Sequence, residues 1–156
     1  MGKDYDRRNH TAEHILNGTM VRMFDRGRSF STHVEKKKSK CDYRFERDLT
    51  ADEVGELERR VNEVIGSNVP VVEDFLPRTE AAKTFDLDRL PDTAGDPLRI
   101  IRIGEYDACP CIGQHVARTG EIGRFSIIST GFEAGVLRVR FRVTPPGEPS
   151  GEITRA

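Results

Sequence analysis

The stretch "TADEVGELERRVNEVIGS", Thr50 to Ser67, constrains the fold more tightly than any other part of the chain. Val54, Leu57, Val61, Val64 and Ile65 recur at three- and four-residue steps, which aligns them along one face of an α-helix. Thr50 supplies an N-cap hydroxyl, and Glu53, three residues on, completes a capping box. Gly66 stops the helix. A helix with one such apolar stripe needs a second layer to bury it. Near the other end, "VLRVRFRV", Val136 to Val143, alternates apolar and basic residues. That is a strand with one packed face and one face in solvent.

The remaining elements follow the same logic. From His10 to Phe24 the residues Ile15, Leu16, Met20, Met23 and Phe24 mark another helical face, with Asn9 as its N-cap and the Gly27 region as its end. "RSFSTHVEKKKSKCDYRFE" reads as extended structure and turns, with Cys41, Tyr43 and Phe45 alternating against Asp42, Arg44 and Glu46. "NVPVVEDFL" predicts a strand, "RTEAAKTFD" a short helix, and "RLPDTAGDP" a loop. Leu98 to Ile103 and Arg124 to Ser129 are further strands. No internal repeat is visible. The expectation is an α+β fold, with a mainly antiparallel sheet packed against helices, in a single domain over residues 1–144. Residues 145–156, "PPGEPSGEITRA", form a polar, proline-rich tail expected to be disordered.

With 25 Lys and Arg against 26 Asp and Glu, the net charge of −1 gives no global pull on nucleic acid. Any such contact has to come from a local patch. "KKKSK", Lys36 to Lys40, and the arginines Arg138, Arg140 and Arg142 of one strand face are the candidates, although solvated loops and sheet faces have this composition too. No stretch approaches the ~18 apolar residues that span a membrane, and "MGKDYDRRNH" lacks the apolar core of a secretory leader. Three cysteines, two of them in "CPC", argue for reduced thiols and a cytoplasmic location.

The residues that carry chemistry begin at "NHTAEHILNG". On a helix His10 and His14 share a face, so their imidazoles can aim at one point. With Glu13 the pattern is H-x-x-E-H, an inverted zinc-protease signature. Glu13 would then be the base, with Glu56 or Glu63 as a third ligand. That reading leaves "CIGQH" unexplained, and Glu13 is better taken as an exposed helix residue. Cys111 and His115 repeat the four-residue spacing, with Gly113 between them. One thiolate and three imidazoles form a good tetrahedral set for Zn²⁺; a turn cysteine and a strand-capping histidine are the plainer alternative. His33 is left over.

"HTAEHIL", followed some hundred residues later by "CIGQHVARTGEIG", resembles the editing domains of alanyl- and threonyl-tRNA synthetases, and in size the short stand-alone alanyl-tRNA editing proteins of the AlaX group. "KCDYRFERDLTADEVGELERRVNEVIGSNVPV" and "LRIIRIGEYDAC" extend the similarity along most of the chain. The resemblance implies the editing-domain fold and a trans-acting deacylase that hydrolyses the ester of mischarged tRNA, with serine or glycine on alanine tRNA as the expected cargo. It implies His10, His14, Cys111 and His115 as zinc ligands and catalytic residues. The zinc would polarise the ester, activate water or anchor the substrate amino group. Oligomeric state is not readable from the sequence.

Three departures qualify the resemblance. Gln114 stands where many alanyl members carry threonine, which is expected to alter the wall of the substrate pocket. Cys109 precedes Cys111 by two residues, as an extra ligand, an altered catalytic position or an inert buried thiol. "HVEKKKSK" replaces the Q-x-G-S type stretch. Asp42 either orients a polar group in the substrate site or sits in a turn, and Thr119 and Glu121 shape the turn after the second motif. The competing function class is a non-catalytic module of the same fold, stapled by zinc, that binds RNA or a protein.

Overall fold

In the computed structural model, which describes residues 4–35, 37–87, 90 and 94–147, the helix expected after Thr50 runs over Ala51–Gly66 as α2. Both arms of the capping box form: Glu53 N–H donates to Thr50 Oγ1 at 3.1 Å and Thr50 N–H to Glu53 Oε1 at 2.9 Å. Leu57, Val61, Val64 and Ile65 are buried along the expected stripe, joined by Glu58.

The first helix, α1, covers Asp4–Phe24 and begins before Asn9. Asn9 is therefore no N-cap. It is a buried interior residue whose amide oxygen accepts from Ser39 Oγ at 3.3 Å, a tertiary use that its residue type alone does not reveal. Ala12, Ile15, Leu16 and Met20 of α1 are fully buried. After Phe24, Asp25 and Gly27 take positive φ values of 54° and 86°, which ends the helix.

Two antiparallel sheets complete the α+β fold. β1 (Ser31–His33), β2 (Ser39–Arg44), β6 (Arg124–Glu133) and β7 (Val136–Thr144) form the larger one, in the order β1-β2-β7-β6. Along β7, Leu137, Val139, Phe141 and Val143 are buried while Arg138, Arg140 and Arg142 are half-buried on the outer face. β3 (Val71–Leu76), β4 (Leu98–Ile103) and β5 (Asp107–Pro110) form the smaller sheet in that order. A short helix, α3 (Arg78–Ala81), follows β3. One buried cluster joins α1 and α2 to the inner face of the larger sheet and to Ile103 of β4.

The contact between α2 and β6 is more specific than apolar packing. Asn62 meets the Phe125 backbone with both halves of its amide, accepting from N–H at 2.9 Å and donating to C=O at 2.8 Å. Two residues on, Ile127 N–H donates to Glu58 Oε1 at 2.8 Å, where the β6–β7 register shifts between Ile127 and Ser129. Such irregularities bend and twist a strand. They also explain why Glu58 is buried inside an apolar stripe.

β5 was not expected from the sequence. Its four residues hold no alternation and end in Pro110, and only pairing with β4 makes them a strand. Residues 148–156, most of the tail expected to be disordered, lie outside the described residues, as do Lys36 and parts of "RLPDTAGDP". Among the described residues no helix is long and apolar enough to cross a membrane.

Candidate functional site

α1 has a second, polar face. Asp6, His10, Glu13, His14 and Asn17 follow one another at helical steps and line a cavity of about 850 Å³, within the size range of small-molecule sites. The segment 28–34 forms a second wall through Arg28, Ser29, Thr32 and Val34, and residues 109–113 close a third.

At one end of this cavity His10, His14, Cys111 and His115 come together, each offering one ligand atom, all within 4.8 Å of one another. His10 Nε2 stands 3.4 Å from Cys111 Sγ, although the two residues are 101 apart in sequence. The His10 and His115 rings stack with centroids 4.4 Å apart, and His14 meets His115 edge-on at 4.6 Å. A tetrahedral Zn²⁺ with nitrogen and sulfur ligands sets its donors roughly 3.3–3.8 Å apart; His10 and Cys111 already stand at that spacing, and donors as far apart as the 4.8 Å limit would close by about 1 Å.

The surroundings orient these donors as a metal site requires. Thr11 Oγ1 lies 2.9 Å from His115 Nδ1, while the buried Nε2 of the same ring has no hydrogen-bond partner. A main-chain group of Gln114 hydrogen-bonds to His10. Gly113 N–H donates to Cys111 Sγ at 3.4 Å. Arg99 of β4 braces the loop by donating to the carbonyls of Cys111 and Gly113 at 3.0 and 2.7 Å. Asp107 Oδ2 stands 3.8 Å from His14 Nδ1, and Arg28 holds that carboxylate with bonds of 2.7 and 3.2 Å. The orphaned His115 nitrogen and the thiol–imidazole donor set fit a zinc ion.

Burial dominates the electrostatics. It lowers the pKa of His10, and that of His14 well below its ordinary value, with His115 and His10 adding repulsion on His14. Burial, helped by His10, brings His115 to about 3. All three rings are thus neutral at pH 7, the protonation state that ligates metal. Burial raises the Cys111 thiol, opposed by the Gly113 N–H, and pushes Cys109 up to about 12.

Two sequence expectations change in this setting. Glu13 is not an exposed helix residue: it is 8% exposed, and its Oε1 stands 3.8 and 3.9 Å from the Nε2 atoms of His10 and His14. Asn17 donates to its other oxygen and accepts from Ser29 N–H at 2.8 Å, which ties helix to wall. Polar residues on a helix ordinarily face water, but this face looks into a cavity. Gln114, expected on the pocket wall, has an exposed side chain and does not line the cavity, because the chain turns its main chain toward His10 instead.

Asp42 also lies away from the cavity. It is on β2 and binds Arg138 of β7 at 2.7 and 2.9 Å. Cys109, on β5, does line the cavity. Glu56 and Glu63, the third-ligand candidates of the protease reading, pair with Arg59 and Arg60 on α2. His33 is exposed and bonds Glu35 at 2.6 Å. Thr119 does shape the turn after the second motif, donating toward the carbonyls at the end of α2 and accepting from Val69 N–H.

Arg28, Arg99, Asp107, Thr11 and Asn17 were not singled out in the sequence. Gly113 carried the one readable signal: a Cβ there would fall 2.1 Å from His10 Cε1, so any other residue at this position between Cys111 and His115 would displace the His10 ring.

Fold and site together define an α+β domain with a split His/Cys cluster at the end of a ligand-sized cavity. Residues 98–140 match the family model described as the threonyl and alanyl tRNA synthetase second additional domain. The chain is 36% identical over 140 residues to the alanine–tRNA ligase of Neisseria meningitidis serogroup C, and 35% over 134 residues to that of Fervidobacterium nodosum. Each match takes in 85% of this chain but only 15% or 16% of the relative. A Coxiella burnetii alanine–tRNA ligase is 33% identical over a similar span. The chain belongs to the alanyl-tRNA synthetase editing-domain family.

Proposed function

We propose that this chain is an aminoacyl-tRNA deacylase that hydrolyses the ester of mischarged tRNA in trans, with serine or glycine on alanine tRNA as cargo. It holds one Zn²⁺ through His10, His14, Cys111 and His115. The observation that carries the reading is the convergence of these four residues beside a cavity of about 850 Å³ in a member of the editing-domain family.

Bound there, zinc supplies Lewis acidity toward an ester carbonyl or a water. The protein's own groups do the positioning. Glu13, held by Asn17, presents a carboxylate to the cavity beside the cluster, able to accept a hydrogen bond from water or from a substrate ammonium. Asn17 in turn holds Ser29, so the polar wall keeps its place against α1. Arg99 fixes the 111–113 loop and with it the Cys111 sulfur.

One observation favours a second reading. Four protein donors would be enough to fill the positions of a structural zinc, whereas catalytic zinc keeps a position open. Under that reading the domain is a zinc-stapled binding module. The discriminating experiment is amino-acid release from a panel of mischarged tRNAs by wild type and by Cys111→Ala. Release by wild type that Cys111→Ala loses is expected. Absence of release by zinc-loaded wild type at high tRNA concentration refutes the deacylase.

A further inference from the structure

The outer face of the larger sheet carries a charge arrangement that the deacylase site does not use. His33, Lys40 and Arg140 are direct partners across β1, β2 and β7, so three groups able to bear positive charge stand in one row. Like charges placed directly opposite one another destabilise a sheet. The neighbouring row is balanced, because Asp42 faces Arg138 and binds it with both oxygens. Among the described residues lining this face the one carboxylate is Glu35, which is taken up by His33. Arg140 donates to a neutral group, Ser129 Oγ, at 3.2 Å. Among the described residues the side chains of Lys38 and Lys40 make no hydrogen bond or ion pair. Asp42 does attract Lys40 and Arg140, but its oxygens are committed to Arg138. These residues surround a surface hollow of about 260 Å³.

The hollow and the cavity share a wall. Thr32 and Val34 line the cavity, whereas the alternate residues His33 and Glu35 line the hollow, as the two-residue period of an extended chain requires. The wall is the three-residue edge strand β1 with Val34 and Glu35 just after it, so a polymer leaving the cavity has little to cross. From β1 to β7 is two strand spacings, roughly 10 Å.

We propose that this face, centred on Lys38, Lys40 and Arg140, binds the sugar–phosphate backbone of the tRNA whose 3′ end occupies the cavity. The proposal rests on the deacylase reading. Phosphate oxygens are the anions that a row of lysine and arginine side chains takes. A chain with a net charge of −1 attracts nucleic acid only through such a local concentration.

The test is binding of uncharged alanine tRNA between 50 and 200 mM salt. Wild type is compared with Lys40→Gln/Arg140→Gln and with a control, Arg59→Gln/Lys83→Gln, that removes two exposed cations from other surfaces. The expected result is about a tenfold or greater loss of affinity at the low-salt end. The slope of log affinity against log salt should shrink by about 1.5–2, with the control little changed. The thermal midpoint of the double variant should equal or exceed wild type, because an opposed pair of like charges is relieved. If the double variant unfolds, Lys38→Gln alone carries the test, with a slope change of about 1.

Unchanged affinity and slope in a tRNA-binding wild type, or an equal loss in the control, overturns the surface and leaves the deacylase intact. A wild type that binds tRNA in this way yet releases no amino acid overturns the deacylase instead.

Discussion

Substituting Gly113 by alanine tests the candidate site with the smallest change available. The new Cβ would lie 2.1 Å from Cε1 and 2.5 Å from Nδ1 of His10. Ordinary carbon–carbon contact begins near ~3.5 Å, so the ring must retreat by about 1.4 Å. The loop cannot yield in its place, because Arg99 holds the Gly113 carbonyl at 2.7 Å and the Gly113 N–H faces Cys111 Sγ. Metal–ligand distances tolerate about 0.2 Å, so a retreat of that size removes His10 from the proposed ligand set. Disturbing a single orienting partner costs roughly 10–100-fold in metal affinity, and losing a ligand costs at least the upper end of that range. The assay is zinc competition against a chromogenic chelator at pH 7, with circular dichroism to verify the fold. Ile112→Ala, at the exposed neighbouring position, serves as control. Wild-type zinc affinity in Gly113→Ala would refute the argument that this glycine exists to admit the His10 ring.

The supporting residues give further expectations. Asp107→Asn removes the carboxylate from Arg28, whose side chain is only 30% exposed; the variant should lose about 3 kcal/mol in urea unfolding, the lower end for breaking a buried pair. It should also bind zinc roughly 10–100-fold more weakly through loosening of His14. Thr50→Ala removes the α2 cap and should cost about 1 kcal/mol at pH 7. Glu53, the other arm of that cap, is held at about 2 by Arg47 and by the Thr50 backbone. Its folded pKa lies below the unfolded value, so its contribution is complete above about 4.5 and disappears as pH falls toward 2. Urea unfolding should therefore show a smaller Thr50→Ala deficit at pH 2.5 than at pH 7; an equal deficit would mean the box does not act as a unit.

What the sequence revealed depended on whether a residue's role was local. The stripe of α2 and the alternation of β7 come from each element's own period, and both were legible. The convergence of His10, His14, Cys111 and His115 was legible because two four-residue spacings each bring a pair of donors to one side of the chain. Glu13 was misread for the opposite reason: its helical position is polar-faced, and only the walls at 28–34 and 109–113 turn that face into a cavity. Asn9 has the residue type of a cap, yet its amide is used across the fold by Ser39. Asp42 gave no hint that Arg138, 96 residues later, would be its partner. β5 and Asp107 take their roles from neighbours with no periodic relation to them, which a reading of local pattern cannot reach.

The clasp of Asn62 and Glu58 on β6 has a consequence for how this sheet can meet other chains. Over Phe125 and Ile127 a helix stands in for a fifth strand, occupying backbone groups that an incoming strand would need. An unpaired edge is a template for another chain, and here that template is blocked along the first part of β6. The opposite border, β1, is short and lies between the cavity and the basic hollow. A second copy seeking to prolong the sheet from that border would have to sit between the cavity and the hollow, so under the proposed function self-association there would compete with the tRNA.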